Sequence, residues 1–526
     1  MTDSPRPDGP VVVIGLDGAE VDWIERWMDA GDLPHFARLR AEGSYGRLKT
    51  VAEAFPAAVW SCFLYGVHPG KAHGYTSFPF VPGEYRVHGY VAEGGTYRPF
   101  PAEARYADGT APRVALIDIP KGTPDDAMNG VTLMNWGTHA AHRDPGSSPT
   151  GFMAEVVERF GKYPLAPGEE DFDLETEAFY RRLRTKLIRG SGMKCDLTRW
   201  LLAKDEFDLI AVTWGELHAA GHRLYHFMDP DHPQHDPKAP EELKTAIRDV
   251  AAGLDTALGE LLAALPATAT LIVASVHGMM PEYTPTDILP RFLDRWNGIG
   301  EAEAQGTDSL NSKFQTWLHL AVPPPVRSRL KLFAPYWFRQ NFRGHHYSAV
   351  FRQKNWARMR AFCPPSDNWG YVRVNLKGRE PAGIVEPGAE YDDLLDELSD
   401  EFMAFRGLDH GEPIVADVVR PQQRWPGPFA DGMPDLVVTW RCERPLAGIR
   451  TRAHGDIPLH GRLHRRSGFH KADGFVLARG SSIKRGHVLN DGHALDLPRT
   501  VLRAMQAEGA DHLDGQVLSD LFVTGN

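Results

Sequence analysis

Residues 271–279 read LIVASVHGM, a short apolar run that closes on a histidine and a glycine. Buried strands of parallel sheets have this composition, and ligands bind at the edge where such strands end. Residues 11–18 read VVVIGLDG and form a second run of the same kind, which ends on Asp17 and a glycine. We expect both runs to be strands that bring His277 and Asp17 to one edge of a parallel sheet.

Length and composition place the chain among soluble globular proteins. Its 526 residues are 42% hydrophobic and 24% charged. That length suits one large α/β domain with insertions, or about two to three ordinary domains. The net charge of −11 and the scattering of the 58 basic residues argue against a nucleic-acid partner.

The sequence carries no signal for export or membrane insertion. Residues 1–10 lack the charged-then-apolar design of a signal peptide, and no apolar run approaches the roughly 18 residues of a membrane span. Cys62, Cys195, Cys363 and Cys442 show no paired spacing, which argues against a disulfide framework and a thiolate zinc site. The sequence therefore predicts a cytoplasmic protein with no membrane partner.

Strand-like and helix-like stretches alternate from residue 11 to about residue 300. Strand patterns occur at residues 11–16, 114–117, 131–134, 209–213 and 271–276, and helix patterns at 21–28, 33–39 and 58–65. Such alternation predicts an α/β fold with a mostly parallel sheet sandwiched by helices.

Residues 301–370 break this pattern. The stretch from residue 326 to residue 360 is basic, rich in aromatic residues and without strand alternation. We interpret residues 301–370 as a helical cap inserted into a core made of residues 1–300 and 371–526. The sheet pattern returns at residues 371–375, 435–440 and 474–478, with a helix at 391–405.

Two histidines four residues apart follow the strand at 209–213. A helical turn would place His218 and His222 on one face, and imidazole pairs at this spacing are common metal ligands. The alternative is a surface turn with incidental histidines. His470 comes just before the strand at 474–478, where it could be a ligand, a capping residue or a core histidine.

Six motifs recur in an order that is informative as a set. They are GLDG at 15–18, LP at 33–34 with glycines at 43 and 46, the segment 60–74 ending in HG, GH at 221–222, SVHGM at 275–279 and GFHKADG at 468–474. Together they resemble the alkaline phosphatase superfamily, specifically its type I phosphodiesterase/nucleotide pyrophosphatase branch. The stretches 375–385 and 434–438 are also similar to this branch, and the resemblance implies an alkaline phosphatase-like fold.

In that family two divalent ions, usually zinc, lie at the carboxyl edge of the sheet and hold a phosphoryl group. By position, the resemblance implies that Asp17 and His277 bind one ion and that His218, His222 and His470 bind the other. Manganese or iron are alternatives to zinc. The resemblance also implies a small anionic substrate, and the sequence carries no signal for an oligomeric state.

The chain departs from the family at three positions. Val276 and His218 stand where the family has ligand aspartates, and the family nucleophile, a threonine or serine, falls on Pro56. The nearest hydroxyls, those of Thr50 and Ser61, are out of register. A covalent intermediate at the usual position is therefore not expected.

These departures change the charge of the predicted site. Two divalent ions on one aspartate and four histidines would leave about three positive charges uncompensated, which is costly in a low-dielectric site. A single ion on His218, His222 and His470 is better balanced and is similar to three-histidine sites that keep one position open. Glu216 could be a fourth ligand or a base beside the bound water, or simply a salt-bridged or solvated glutamate.

Three functions stay open on this evidence. The leading hypothesis is a metal-dependent hydrolase or transferase of a phosphoester, phosphoanhydride or sulfate ester, acting through a metal-activated water or a direct acceptor attack, with Ser61 as the candidate if a side chain attacks. The second is a mononuclear, histidine-rich metalloenzyme recruited to non-phosphoryl chemistry in a biosynthetic pathway. The third is a non-catalytic ligand-binding protein, which five metal-type ligands argue against.

Overall fold

The chain folds into strands and helices that alternate along most of its length. The computed structural model describes residues 7–72, 74–76, 79–81, 83–87, 97–137, 145–165, 175–283, 288–300, 355–366, 369–441, 443–459 and 466–523. Its strands are β1 (Val11–Leu16), β2 (Ser44–Lys49), β3 (Val114–Ile117), β4 (Gly130–Met134), β5 (Gly146–Ser148), β6 (Leu209–Trp214), β7 (Thr270–Ser275), β8 (Gly278–Pro281), β9 (Ala361–Phe362), β10 (Gly370–Val374), β11 (Arg406–Gly407), β12 (Val415–Val419), β13 (Leu436–Trp440), β14 (Gly448–Arg450), β15 (Asp456–Pro458), β16 (Gly468–Lys471), β17 (Asp473–Arg479) and β18 (His487–Val488).

The helices lie mainly between these strands. They are α1 (Val21–Ala30), α2 (Pro34–Glu42), α3 (Val59–Tyr65), α4 (Phe100–Glu103), α5 (Phe152–Phe160), α6 (Glu177–Lys204), α7 (Glu216–Met228), α8 (Glu241–Lys244), α9 (Ala246–Ala264), α10 (Ile288–Trp296), α11 (Ala389–Met403), α12 (Pro421–Arg424) and α13 (Leu497–Ala504). Among the described residues, no helix combines the length and apolarity that a bilayer span requires.

Nine strands form the sheet at the centre of the fold. Their order is β18-β2-β17-β7-β1-β6-β3-β4-β5. The five neighbours β7, β1, β6, β3 and β4 run parallel, whereas β17 is antiparallel to both of its neighbours. The predicted α/β fold with a mostly parallel sheet is therefore confirmed.

Alternate residues of the central strands pack against opposite helical layers. In β1, Val11 and Val13 belong to one buried apolar cluster, and Val12 and Ile14 belong to the other. The first cluster includes residues of α3, α10, α11 and α13, and the second includes residues of α1, α6, α7 and α9. Because helices cover both faces, these strands have no polar face and appear in the sequence as continuous apolar runs.

The strand patterns near residues 371 and 435 belong to a second sheet and do not extend the central one. In that sheet β10 pairs with β13 and β9, and β13 pairs with β12, all antiparallel. The sequence predicted these strands but not their partners, because an apolar strand pattern reports burial and does not specify which strand lies alongside.

Most of the predicted cap, residues 301–354, lies outside the described residues. The chain on either side of it meets at one place: Asn297 Nδ2 donates to the carbonyl of Ala361 (2.9 Å), and the Arg360 N–H donates to Asn297 Oδ1 (2.8 Å). The described end of the predicted segment includes β9, which belongs to the second sheet. The division into a core and an inserted cap over residues 301–370 stays a prediction.

A buried ionic network ties the second sheet to α11. Arg379 donates to both carboxylate oxygens of Asp435 (2.7 Å each), and the Tyr391 hydroxyl on α11 donates to the same carboxylate (2.7 Å). Burial acts to raise the pKa of Asp435, but the hydrogen bonds and charge of Arg379 hold that pKa below its ordinary value. The carboxylate is therefore ionised and fully paired at neutral pH.

We expect Asp435→Asn to lower the free energy of unfolding by about 3 kcal/mol, because the largely buried Arg379 would lose its two-point partner and keep only Glu380, which it shares with Arg373. Since the folded pKa of Asp435 is lowered, its contribution is present above the pKa of an unfolded aspartate and is lost as the pH falls through the folded pKa. Urea unfolding at neutral and acidic pH measures both effects.

The matched control is Lys377→Gln, which removes an exposed ion pair with Glu386 and should leave the urea midpoint unchanged. An Asp435→Asn variant as stable as the unsubstituted protein at neutral pH would contradict the assignment.

Candidate metal centre

Three adjacent strands of the central sheet deliver the predicted ligands to one edge. Asp17 follows β1, His277 follows β7, and α7, which carries His218 and His222, follows β6. The sheet order places β1 between β7 and β6. Because the three strands are parallel, their carboxyl ends share an edge, and the side chains that follow them lie close together.

His470 reaches the same edge from a distant part of the sequence. It lies in β16, which pairs antiparallel with β8, the strand that begins directly after His277. In this register His470 is opposite Met279 and Lys471 is opposite Gly278. The two-stranded β8–β16 ribbon therefore brings His277 and His470 together, and their ring centroids are 4.4 Å apart.

Three imidazole nitrogens converge on one point. The Nε2 atom of His218 lies 2.9 Å from that of His470 and 3.1 Å from that of His222, and the remaining pair is 3.2 Å apart. Ligands about 2.0–2.1 Å from a tetrahedral zinc ion would be about 3.3–3.4 Å apart. The triangle of nitrogens therefore has the dimensions of a three-histidine metal site, slightly contracted.

The tautomer of His222 fits a ligand role. Its Nδ1 atom lies 2.7 Å from the carbonyl oxygen of Gly468, a group that only accepts, so Nδ1 carries the proton. The Nε2 lone pair of the neutral ring consequently points into the triangle. Metal-binding histidines commonly donate their second ring N–H to a carbonyl in this way, which fixes the ring and makes the ligand nitrogen more basic.

Asp17 and His277 form an adjoining pair. The Nε2 atom of His277 lies 2.8 Å from Asp17 Oδ1, while its Nδ1 lies 3.0 Å from the carbonyl oxygen of Gly278. Both ring nitrogens of His277 therefore have an oxygen partner, and a ligand role for its Nε2 would place an ion between the ring and the Asp17 carboxylate. His277 also places one nitrogen within 4.8 Å of nitrogens of His218 and His470. All five predicted ligands therefore make one continuous group.

Trp60 contacts this group and was not anticipated from the sequence. Its indole Nε1 donates to Asp17 Oδ1 (2.8 Å), and its ring packs over Gly15, where a Cβ atom would come within 2.5 Å of the indole. A tryptophan in an apolar helix usually fills the core, so its position in the sequence carried no sign of this contact. The glycine at position 15, which leaves room for the indole, was the feature of the sequence that could have indicated this contact.

Glu20, a buried glutamate, supports the β8–β16 ribbon beside His277 and His470. This role was not anticipated from the sequence. Glu20, at the start of α1, accepts from the Met279 N–H (2.9 Å) and from Lys471 Nζ (2.7 Å). Burial raises the pKa of Glu20 to about 7, against the lowering effect of Lys471. Glu20 thereby links β8 and β16 to the end of β1.

Glu216 lies on another side of α7 from the two histidines. Its Oε1 accepts from the Tyr163 hydroxyl, and Lys194, which pairs with Asp118, acts on its charge. Residues two apart on a helix point about 200° away from each other, so the carboxylate two residues before His218 is turned away from the imidazoles. Burial raises the pKa of Glu216. The described contacts thus place Glu216 in a buried polar cluster beneath α7, and none of them joins it to the histidines.

The hydroxyl groups near the family's nucleophile position are built into local structure. Pro56 opens a 3-10 turn, Pro56–Ala58, that leads into α3, and Ser61 is a buried residue of that helix. Thr50 caps the preceding turn, where its Oγ1 accepts from the Ala52 N–H (3.0 Å). The position of Pro56 itself offers no nucleophile.

Comparisons with known proteins agree with this architecture. The chain matches the type I phosphodiesterase/nucleotide pyrophosphatase family over residues 11–443. No curated protein sequence matches it significantly.

The chain is similar to several solved structures. Wild-type alkaline phosphatase PafA is 11% identical, with 99% of each chain covered and a TM-score of 0.51. Murine ectonucleotide pyrophosphatase/phosphodiesterase 5 is 13% identical, with 98% of this chain and 100% of that chain covered and a TM-score of 0.48. Phosphonoacetate hydrolase from Sinorhizobium meliloti is 13% identical, with 95% and 97% covered and a TM-score of 0.48.

At 11% identity the likeness to alkaline phosphatase PafA supports the fold alone, whereas the family match covers most of the chain. The protein therefore belongs to the type I phosphodiesterase/nucleotide pyrophosphatase family, a family of phosphoester hydrolases.

Proposed function

We propose that the protein is a metal-dependent hydrolase or transferase that acts on a small phosphoester, phosphoanhydride or sulfate ester. The observation that carries the proposal is the convergence of the His218, His222 and His470 Nε2 atoms within 3.2 Å of one another. Three imidazole nitrogens this close together, two of them on buried side chains, can present their lone pairs to one position, so this donor set suits one divalent ion. Zinc fits the nitrogen ligands best, with manganese or iron as alternatives.

An ion held there would act as a Lewis acid toward a phosphoryl or sulfuryl oxygen and would lower the pKa of a bound water. The chain's own residues supply the rest. His222 is oriented by its bond to Gly468, and His470 is held by the β8–β16 ribbon. Asp17 and His277 form the weaker second position, because a single aspartate offers little charge to offset a second divalent ion.

The nucleophile in this proposal does not come from the protein. Pro56 has no hydroxyl, and Ser61 lies within the packed helix α3. A water molecule or the hydroxyl or amine of an acceptor substrate is the better candidate. The predicted cap, residues 301–370, is proposed as the segment that selects that substrate.

The first prediction concerns metal stoichiometry. Protein purified without added metal should contain one divalent ion per chain, measured by inductively coupled plasma mass spectrometry. His470→Ala removes one of three ligands and should reduce bound metal well below that level. His454→Ala is the control, because the described contacts of that imidazole are with Phe292. Full metal content and full activity in His470→Ala would show that the assignment is wrong, and two ions per chain would favour the ordinary family site.

The second prediction concerns the nucleophile. Ser61→Ala should keep most of the activity, while His218→Ala or His222→Ala should lose at least about a hundredfold, since the ligand set supplies the Lewis acid. Turnover of model phosphodiesters, phosphomonoesters and sulfate esters provides the assay. Isolation of a phosphorylated or sulfated Ser61 during turnover would restore a covalent mechanism. Inactivity toward every ester would favour a metalloenzyme recruited to other chemistry.

A further inference from the structure

Met279 is the residue at which the elements that carry the imidazoles meet. In the β8–β16 ribbon it lies opposite His470. Its side chain packs on Gly221 of α7, directly before His222, where a Cβ atom would come within 2.6 Å of the methionine Cε. Because the buried Met279 touches both the strand of His470 and the helix of His222, its position sets how closely these two rings approach.

A single carboxylate fixes the backbone of Met279. Glu20 Oε2 accepts from the Met279 N–H (2.9 Å), and Glu20 Oε1 accepts from Lys471 Nζ (2.7 Å), so each strand of the ribbon donates to one oxygen. Glu20 lies between β1 and α1, shortly after Asp17, and is 2% exposed. The ribbon is thereby held at a defined distance from the carboxyl end of β1.

Gly278 leaves room for this carboxylate. A Cβ atom at position 278 would overlap with Glu20 Oε2, so a side chain there would push the carboxylate away from the neighbouring Met279 N–H. The glycine that follows His277 is therefore matched to a glutamate from the beginning of the chain. The carboxylate itself is also matched to its partners, because both of its oxygens accept, whereas an amide would turn its NH₂ group toward one of the two donors.

We propose that Glu20 is a positioning residue of the metal centre: through Met279 it fixes the separation of His470 from the histidines of α7 and thereby raises the affinity for the ion. Among the described contacts of Glu20 none is with an imidazole, so it acts through the backbone and not as a ligand. Groups that orient metal ligands typically change the metal affinity by about 10–100-fold when they are removed. This inference rests on the proposed metal-dependent function.

Glu20→Gln keeps the size of the side chain but leaves one of the two donors without an acceptor. We expect the folded variant to bind Co²⁺ about tenfold more weakly, at the lower end of the range for groups that orient ligands. Gly278→Ala changes no charge and displaces the same carboxylate, so it should weaken Co²⁺ binding in the same direction. Because both substitutions break the one contact between Glu20 and Met279, their effects should not add in the double variant.

The test is a titration of the metal-free full chain with Co²⁺, followed by visible absorption, with far-ultraviolet circular dichroism to establish that each variant is folded. A pH of about 8 keeps most of the Glu20 carboxylate ionised, because burial raises its pKa to about 7. Asp22→Asn is the matched control. It removes a carboxylate that lies 2.7 Å from the same Lys471 Nζ but makes no described contact with β8, so its Co²⁺ affinity should be unchanged.

The variants separate positioning from charge and from stability. Equal losses of Co²⁺ affinity in Glu20→Gln and Asp22→Asn would show an effect of charge alone and overturn the positioning role. An unchanged affinity and Co²⁺ spectrum in folded Glu20→Gln would show that Glu20 only stabilises the fold, and would also overturn it. If Glu20→Gln does not fold, an unchanged affinity in Gly278→Ala overturns the role in the same way. Failure of the unsubstituted protein to bind Co²⁺ would overturn the metal-dependent function itself.

Discussion

The approach of three imidazole nitrogens to within 3.2 Å of one another is the constraint on which the arrangement of this edge of the sheet depends. The packing of the surrounding backbone fixes where the three rings lie. Two glycines show how closely the backbone packs around these rings. A Cβ atom at Gly18 would lie 2.7 Å from the backbone of His218, and one at Gly468 would lie 2.3 Å from the carbonyl of Gly221. Gly18 also has a φ of 69°, which favours glycine. These close contacts press α7 against the end of β1 and against β16.

Helix α7 and the β8–β16 ribbon, which carry the imidazoles, contact ionisable side chains that are buried or partly buried. The Asp118–Lys194 pair and Glu216 lie on the buried side of the first turn of α7. Lys194 also donates to the carbonyl of Thr213 near the end of β6 (3.1 Å). In the β8–β16 ribbon, the Met279 N–H and Lys471 Nζ both donate to the carboxylate of Glu20, which links the ribbon to the start of α1. Breaking a buried pair of this kind is strongly destabilising, so such pairs hold their helices and strands in a single register. The imidazole nitrogens therefore lie on elements that these buried contacts hold in place.

The charge of the centre sets this chain apart from the usual pattern of its family. Four histidines and a single aspartate provide one formal negative charge, and that aspartate already accepts a hydrogen bond from Trp60. Divalent ions are the largest local charges in any such site, so the number of carboxylates limits how many can bind. Val276 and His218 stand at positions where the resemblance implies carboxylates, which accounts for the difference in charge.

The sequence by itself determined the strands, the helices and the identity of the ligand-type residues. Continuous apolar runs reveal buried strands, and a spacing of four places His218 and His222 on one helical face, because both patterns follow from local backbone geometry. Only the tertiary structure decided which strands pair, and so that β10 and β13 form a separate sheet and that β16 brings His470 to residues 252 positions earlier in the chain. It also turned Glu216 away from the imidazoles and brought Trp60 to Asp17. These outcomes depend on long-range packing and on the direction of single side chains, which no local periodicity encodes.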